Sequence, residues 1–346
     1  MKPKMLYMRK TPIESALILY LLAAGLVMFP YQWLGNLFTQ DEQTAGFLGL
    51  GILRILFSGV MLLLAFHMGI RKTLAARGSW RALLVALPAL VIAVNNLPIV
   101  ALAQGTAAVT GSAGEIAAFA LQCVGVGLFE EMAFRGVIFP FVLGKTGTGR
   151  KGRFIAVLAS SAAFGLLHLV NLLGGFSGGV FLQVGYSFLI GCMLSVVMFC
   201  GGGVFVCAFI HAVYNFCGNV VFELGEGAFW DIWCPEEIVL TAIVAVAAGV
   251  FFFFALKNGK PDYAEAFAVY PPKTSGSAGV NAQTGAVGNP GEAGDGKQAA
   301  AEEAAGGINA DGAEGIASPE AEERVGASAP EKDGSGGGAS ADGDTQ

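Results

Sequence analysis

Apolar runs about as long as a hydrocarbon core is thick recur along the first three quarters of the chain. Eight are legible from hydropathy, at 13–34, 47–68, 82–103, 116–143, 154–173, 180–199, 203–222 and 237–257. A backbone in lipid must satisfy its own N–H and C=O groups, and single runs of this length can do so only as helices. The pattern predicts an all-α polytopic membrane protein, a bundle of about eight transmembrane helices. Composition agrees, since 13% of residues are charged and 54% hydrophobic, where a soluble domain carries about 25% charge. The first run follows a basic start, but it is too long for the apolar region of a signal peptide, and Tyr31 and Trp33 close it like interfacial anchors.

Charge sorts the loops. Lys2 to Lys10, then Arg71, Lys72, Arg77 and Arg81, then Lys145, Arg150, Lys151 and Arg153, and finally Lys257 and Lys260 fall on alternate sides of successive runs. The intervening loops hold Asp41, Glu42, Glu115, Glu223, Glu226, Asp231 and Glu236 without a base. The positive-inside rule then predicts a multi-pass protein of the cell membrane with both termini cytoplasmic.

Two regions follow. Residues 1–260 are the expected membrane domain. From 261 to 346 the sequence turns to Gly, Ala, Ser and acid, with fifteen acidic and five basic residues from Lys260 onward. Such a segment has nothing to bury and is expected to be a disordered, acidic cytoplasmic tail. The cysteines at 123, 192, 200, 207 and 217 lie in apolar runs and form no CxxC pair, so they read as small buried hydrophobes. The glycine groups follow no strand and fit helix packing rather than a nucleotide loop; no cofactor and no nucleic-acid partner is indicated.

Ionisable groups inside a membrane span are expensive and point to function. They are Glu130, Glu131 and Arg135 on the fourth run, His168 on the fifth and His211 on the seventh. At 1.5 Å per residue, Glu130 and His168 lie roughly 22 Å, and His211 roughly 14 Å, from ends on the same side. Three spans thus bring polar groups into one layer. Glu131 and Arg135 are i,i+4, so the arginine can neutralise that carboxylate, while Glu130 points about 100° away and is left for chemistry. His211 and Asn215 share the same spacing, as do Phe164 and His168. A carboxylate and a histidine can activate water, and a second histidine with an amide can stabilise an oxyanion. Arg54 also lies within a run, without a partner that the sequence reveals.

The sequences EEMAFR (130–135), FGLLH (164–168) and HAVYN (211–215) resemble the EExxxR, FxxxH and HxxxN motifs of the CPBP intramembrane glutamic endopeptidases. That family includes type II CAAX prenyl proteases and bacterial relatives linked to bacteriocin immunity and peptide processing. The resemblance covers 116–222. It implies a peptidase acting on a membrane-embedded or lipid-modified peptide in the bilayer. In that reading Glu130 polarises water with His168, His211 and Asn215 hold the oxyanion, Glu131 and Arg135 orient the motif, and Phe164 packs. Three other readings stay open: a zinc-dependent variant using the glutamate and histidines, a proton-coupled transporter relaying through Glu130, His168 and His211, and a catalytically silent membrane scaffold.

Overall fold

The computed structural model describes residues 11–68, 70, 74 and 80–259. The expected tail at 261–346 and the basic residues 2–10, 71, 72 and 77 lie outside the described residues.

The described chain is a helical bundle. Its helices are α1 (Pro12–Val27), α2 (Gln32–Gly35), α3 (Glu42–Met68), α4 (Trp80–Asn95), α5 (Ile99–Gln104), α6 (Ala113–Glu131), α7 (Phe139–Thr146), α8 (Arg150–Leu167), α9 (Gly178–Phe199), α10 (Gly203–Leu224), α11 (Phe229–Ile232) and α12 (Pro235–Asn258). A π segment, Met132–Ile138, joins α6 to α7, and a 3-10 segment, His168–Gly174, extends α8. Two-residue strands β1 (Ala108–Val109) and β2 (Gly225–Glu226) pair antiparallel.

Among the described residues, six helical stretches are long and apolar enough to cross a membrane: Glu42–Met68, Ala113–Thr146, Arg150–Gly174, Gly178–Phe199, Gly203–Leu224 and Pro235–Asn258. The first and third expected runs are shorter. Helix α1 stops before Pro30 and α4 before Pro98, because a proline cannot give its N–H and disfavours helical geometry in the residue before it. Each has sixteen residues, about 24 Å of helix.

Hydrogen bonds identify the two ends of the bundle. At one, the ribbon end, β1 meets β2, Gln43 donates to the Glu223 carbonyl, and Thr110 and Gly111 donate to the Leu224 carbonyl. At the other, Arg153 donates to the Lys257 and Gly259 carbonyls, and Val204 donates to that of Leu74. Asp41 begins α3 by accepting from the Thr44 N–H at 2.7 Å, and bonding with the Thr44 side chain and backbone holds its carboxyl below the ordinary range. Helix α6 starts with a capping box, in which Ser112 accepts from the Glu115 N–H and Glu115 from the Ser112 N–H.

Lipid is as apolar as leucine, so close packing rather than transfer from water holds membrane helices together. Two glycines on α6 show it. A Cβ on Gly125 would run into the backbone of Gly51 on α3, and one on Gly127 would lie 2.8 Å from the Ala208 carbonyl oxygen on α10. Helix α6 is thereby pressed between α3 and α10, and the residues one turn further on are carried against α10.

Candidate active site

Glu130 and Glu131 are the last two residues of α6, and Arg135 lies in the π segment that follows. Pro140 explains why the helix loosens there. It has no N–H for the Gly136 carbonyl, and its ring crowds that oxygen. Single-turn π segments of this kind recur at functional sites.

Glu131 is fully buried, at 0% exposure, and Arg135 is 1% exposed. The Glu131 Oε1 accepts from Arg135 Nη1 at 2.9 Å, the pair that the spacing predicts. The same oxygen lies 2.9 Å from His211 Nδ1. A carboxylate only accepts, so Nδ1 carries the proton and His211 turns Nε2 the other way. There it lies 3.6 Å from Glu130 Oε2, beyond a hydrogen bond but within ion-pair range. Glu131 therefore has two tasks, neutralising Arg135 and fixing the His211 tautomer. Sequence spacing exposed only the first, because His211 comes from another helix.

His168 Nδ1 sits 3.2 Å from the Phe164 carbonyl oxygen one turn back. A carbonyl too can only accept, which leaves His168 Nε2 with its lone pair available. Phe164 ties the cluster together. Its ring lies under the Arg135 guanidinium at 4.6 Å and stands edge-on to His168 at 5.2 Å and to His211 at 5.8 Å. A cation over an aromatic face is attracted to it, so this ring holds Arg135 as well as packing the core.

A cavity of about 280 Å³ collects these groups. Glu130, His168, His211 and Asn215 all line it, together with Phe164. Glu130 is 9% exposed and makes no hydrogen bond among the described residues. Glu131 and Arg135 sit behind the wall. Below them the core is apolar, with Phe129, Met132, Phe134, Phe139, Phe141 and Phe199 all buried. Among the described residues no set of three His, Cys, Asp or Glu side chains is placed to hold a metal ion.

Arg54 gains an explanation that the sequence did not offer. Its Nη1 and Nη2 each donate at 2.8 Å, to the Leu26 and Val27 carbonyls that end α1. The helix end leaves the Leu26 carbonyl with only a long bond from the Phe29 N–H, at 3.4 Å, and deprives that of Val27 of its next turn, and a cation there also complements the helix dipole. The guanidinium lies 5.1 Å from the Phe129 ring centre and faces the cavity beside Glu130. Its partners are backbone atoms, which leave no trace in a sequence. Asn219 and Glu223 were also missed. They continue the His211–Asn215 spacing along α10 and line the same cavity, and that spacing was legible.

Glu130, two histidines and the Asn215 amide line one cavity, and a set of this kind has the chemistry to activate a water and to bind an oxyanion. Residues 111–217 match the family model described as Type II CAAX prenyl endopeptidase Rce1-like. That stretch contains all three motifs. No curated protein and no solved structure matches the chain. Over residues 111–217 the chain is thus similar to the type II CAAX prenyl endopeptidases of the Rce1-like family.

Proposed function

We propose that this chain is an intramembrane glutamic endopeptidase that cleaves a peptide bond of a membrane-associated or lipidated substrate. The supporting observation is the pairing of Glu130 with His211 Nε2 across a cavity that also receives His168 and Asn215. Glu130 takes a proton from the attacking water, and His168 assists through its available Nε2. His211 is anchored by Glu131, so in its charged form it can aim an Nε2 proton at the developing oxyanion while Asn215 offers its amide. The same imidazolium can then deliver a proton to the leaving amine. Glu131 acts as its counter-charge, in the manner of the buried carboxylate of a catalytic triad.

The test compares membrane peptides from cells carrying the wild-type chain with those carrying Glu130→Gln. Cleavage products should vanish in the variant while the purified protein stays folded. Full cleavage by Glu130→Gln would overturn the reading.

A further inference from the structure

Four residues of α10, His211, Asn215, Asn219 and Glu223, fall one turn apart and line a single cavity. Their burial changes along the row. His211 is 4% exposed, Asn215 half-buried, and Asn219 and Glu223 exposed. The facing walls run the same way. On α6, Gln122 and Val126 lead down to Glu130, and beside the 3-10 segment Asn171 donates to Gln183 at 2.8 Å. The cavity is thus an amide-lined passage that opens at the ribbon end and closes on the aromatic core at the other.

Charge divides between the two ends. At the ribbon end lie Asp41, Glu42, Glu115, Glu223, Glu226, Asp231, Glu236 and Glu237, and no lysine or arginine is found there among the described residues. Lys145, Arg150, Lys151, Arg153 and Lys257 lie at the opposite end. The positive-inside rule makes the closed, basic end cytoplasmic and the open, acidic end extracytoplasmic.

We propose that the peptide reaches Glu130 from the extracytoplasmic side, down the α10 polar row, and that Glu223 at the mouth selects a cationic segment. The proposal rests on the peptidase reading for the event at the bottom of the passage. The Glu223 carboxylate makes no hydrogen bond or ion pair among the described residues, so it is free for a ligand. Twelve residues of helix separate it from His211, about 18 Å. An extended peptide covers that in about five residues. The substrate class is therefore an exported or outward-facing peptide with a lysine or arginine about five residues from the cleaved bond.

The test uses the full chain with its native cysteines replaced, in sealed right-side-out vesicles. Single thiols are placed by Asn219→Cys, by Asn171→Cys as a second position, and by Lys145→Cys as the opposite-end control. Each is treated with membrane-impermeant methanethiosulfonates, one cationic and one anionic. Asn219→Cys and Asn171→Cys should react without permeabilisation, and Lys145→Cys only after it. A cleft of one charge sign raises the local concentration of its counter-ion, so at Asn219→Cys, with each rate divided by that reagent's rate on free cysteine, the cationic reagent should react about tenfold faster than the anionic. Adding Glu223→Gln should bring that ratio down toward one. Protection of both cavity thiols until the vesicles are opened would overturn the side of entry. Equal rates, or a ratio untouched by Glu223→Gln, would overturn the selection of cations. Labelling needs no turnover, so either failure is distinct from a failure of Glu130→Gln to abolish cleavage.

Discussion

Two glutamates adjacent in sequence should respond to the same change by very different amounts. In Glu131→Gln the carboxylate that faces both Arg135 Nη1 and His211 Nδ1 at 2.9 Å loses its charge. Arg135, 1% exposed, is then a buried cation without its counter-ion. Removing one partner of a buried pair costs about 3–5 kcal/mol, because the remaining charge is left desolvated. For a chain of this size each kcal/mol moves Tm by about 2–4 °C, so the detergent-solubilised variant should melt about 6–20 °C lower. Glu130→Gln leaves no hydrogen-bond partner orphaned and should shift Tm by less than about 3 °C. The double variant Glu131→Gln/Arg135→Met removes both charges and should recover part of the loss, the sign of direct coupling. Thermal unfolding followed by tryptophan fluorescence reads all three. Equal shifts for Glu130→Gln and Glu131→Gln, or a double variant no better than the single, would refute the assignment of Glu131 to the buried pair.

Arg54→Met should release the last turn of α1 and destabilise the chain by about 1.5–3 kcal/mol, the worth of a charged hydrogen bond; faster amide exchange at residues 27–31 would register it. Gly125→Ala should force α6 away from α3 at a cost of about 1–3 kcal/mol, whereas Gly59→Ala, where a Cβ meets nothing within 4 Å, should leave Tm unchanged. Asn215→Ala should lower kcat about 100-fold or more with little change in KM or Tm, if the amide acts on the oxyanion alone; a peptide assay in detergent measures both constants.

The order of the helices and the polar layer were legible because both are written in one-dimensional spacing. Apolar runs about twenty residues long give the spans, and i,i+4 intervals give Glu131 with Arg135 and Phe164 with His168. What spacing cannot report is which face of one helix meets which face of another. The Glu131–His211 contact is of that kind, as are the approaches of Gly125 to α3 and Gly127 to α10. The π segment was hidden for another reason. A regular helix is assumed when positions are counted, and only Pro140 hints that the count fails. The lengths of the first and third runs were overestimated because hydropathy continues past Pro30 and Pro98, although the helix does not.

The end of α1 bears on the membrane itself. Val27 stops at the level of Arg54, twelve residues or about 18 Å along α3 from its ribbon end. Above it Met28 to Tyr31 run as exposed, non-helical chain. The Met28 and Phe29 N–H groups donate within the chain and the Pro30 and Tyr31 carbonyls accept within it, but the helix itself is short, and a bilayer meets a short hydrophobic surface by thinning, at a fraction of a kcal/mol per Å. On this flank the bilayer should therefore thin around the sixteen-residue α1. Lipid chain length is then a variable to which this flank of the bundle should respond.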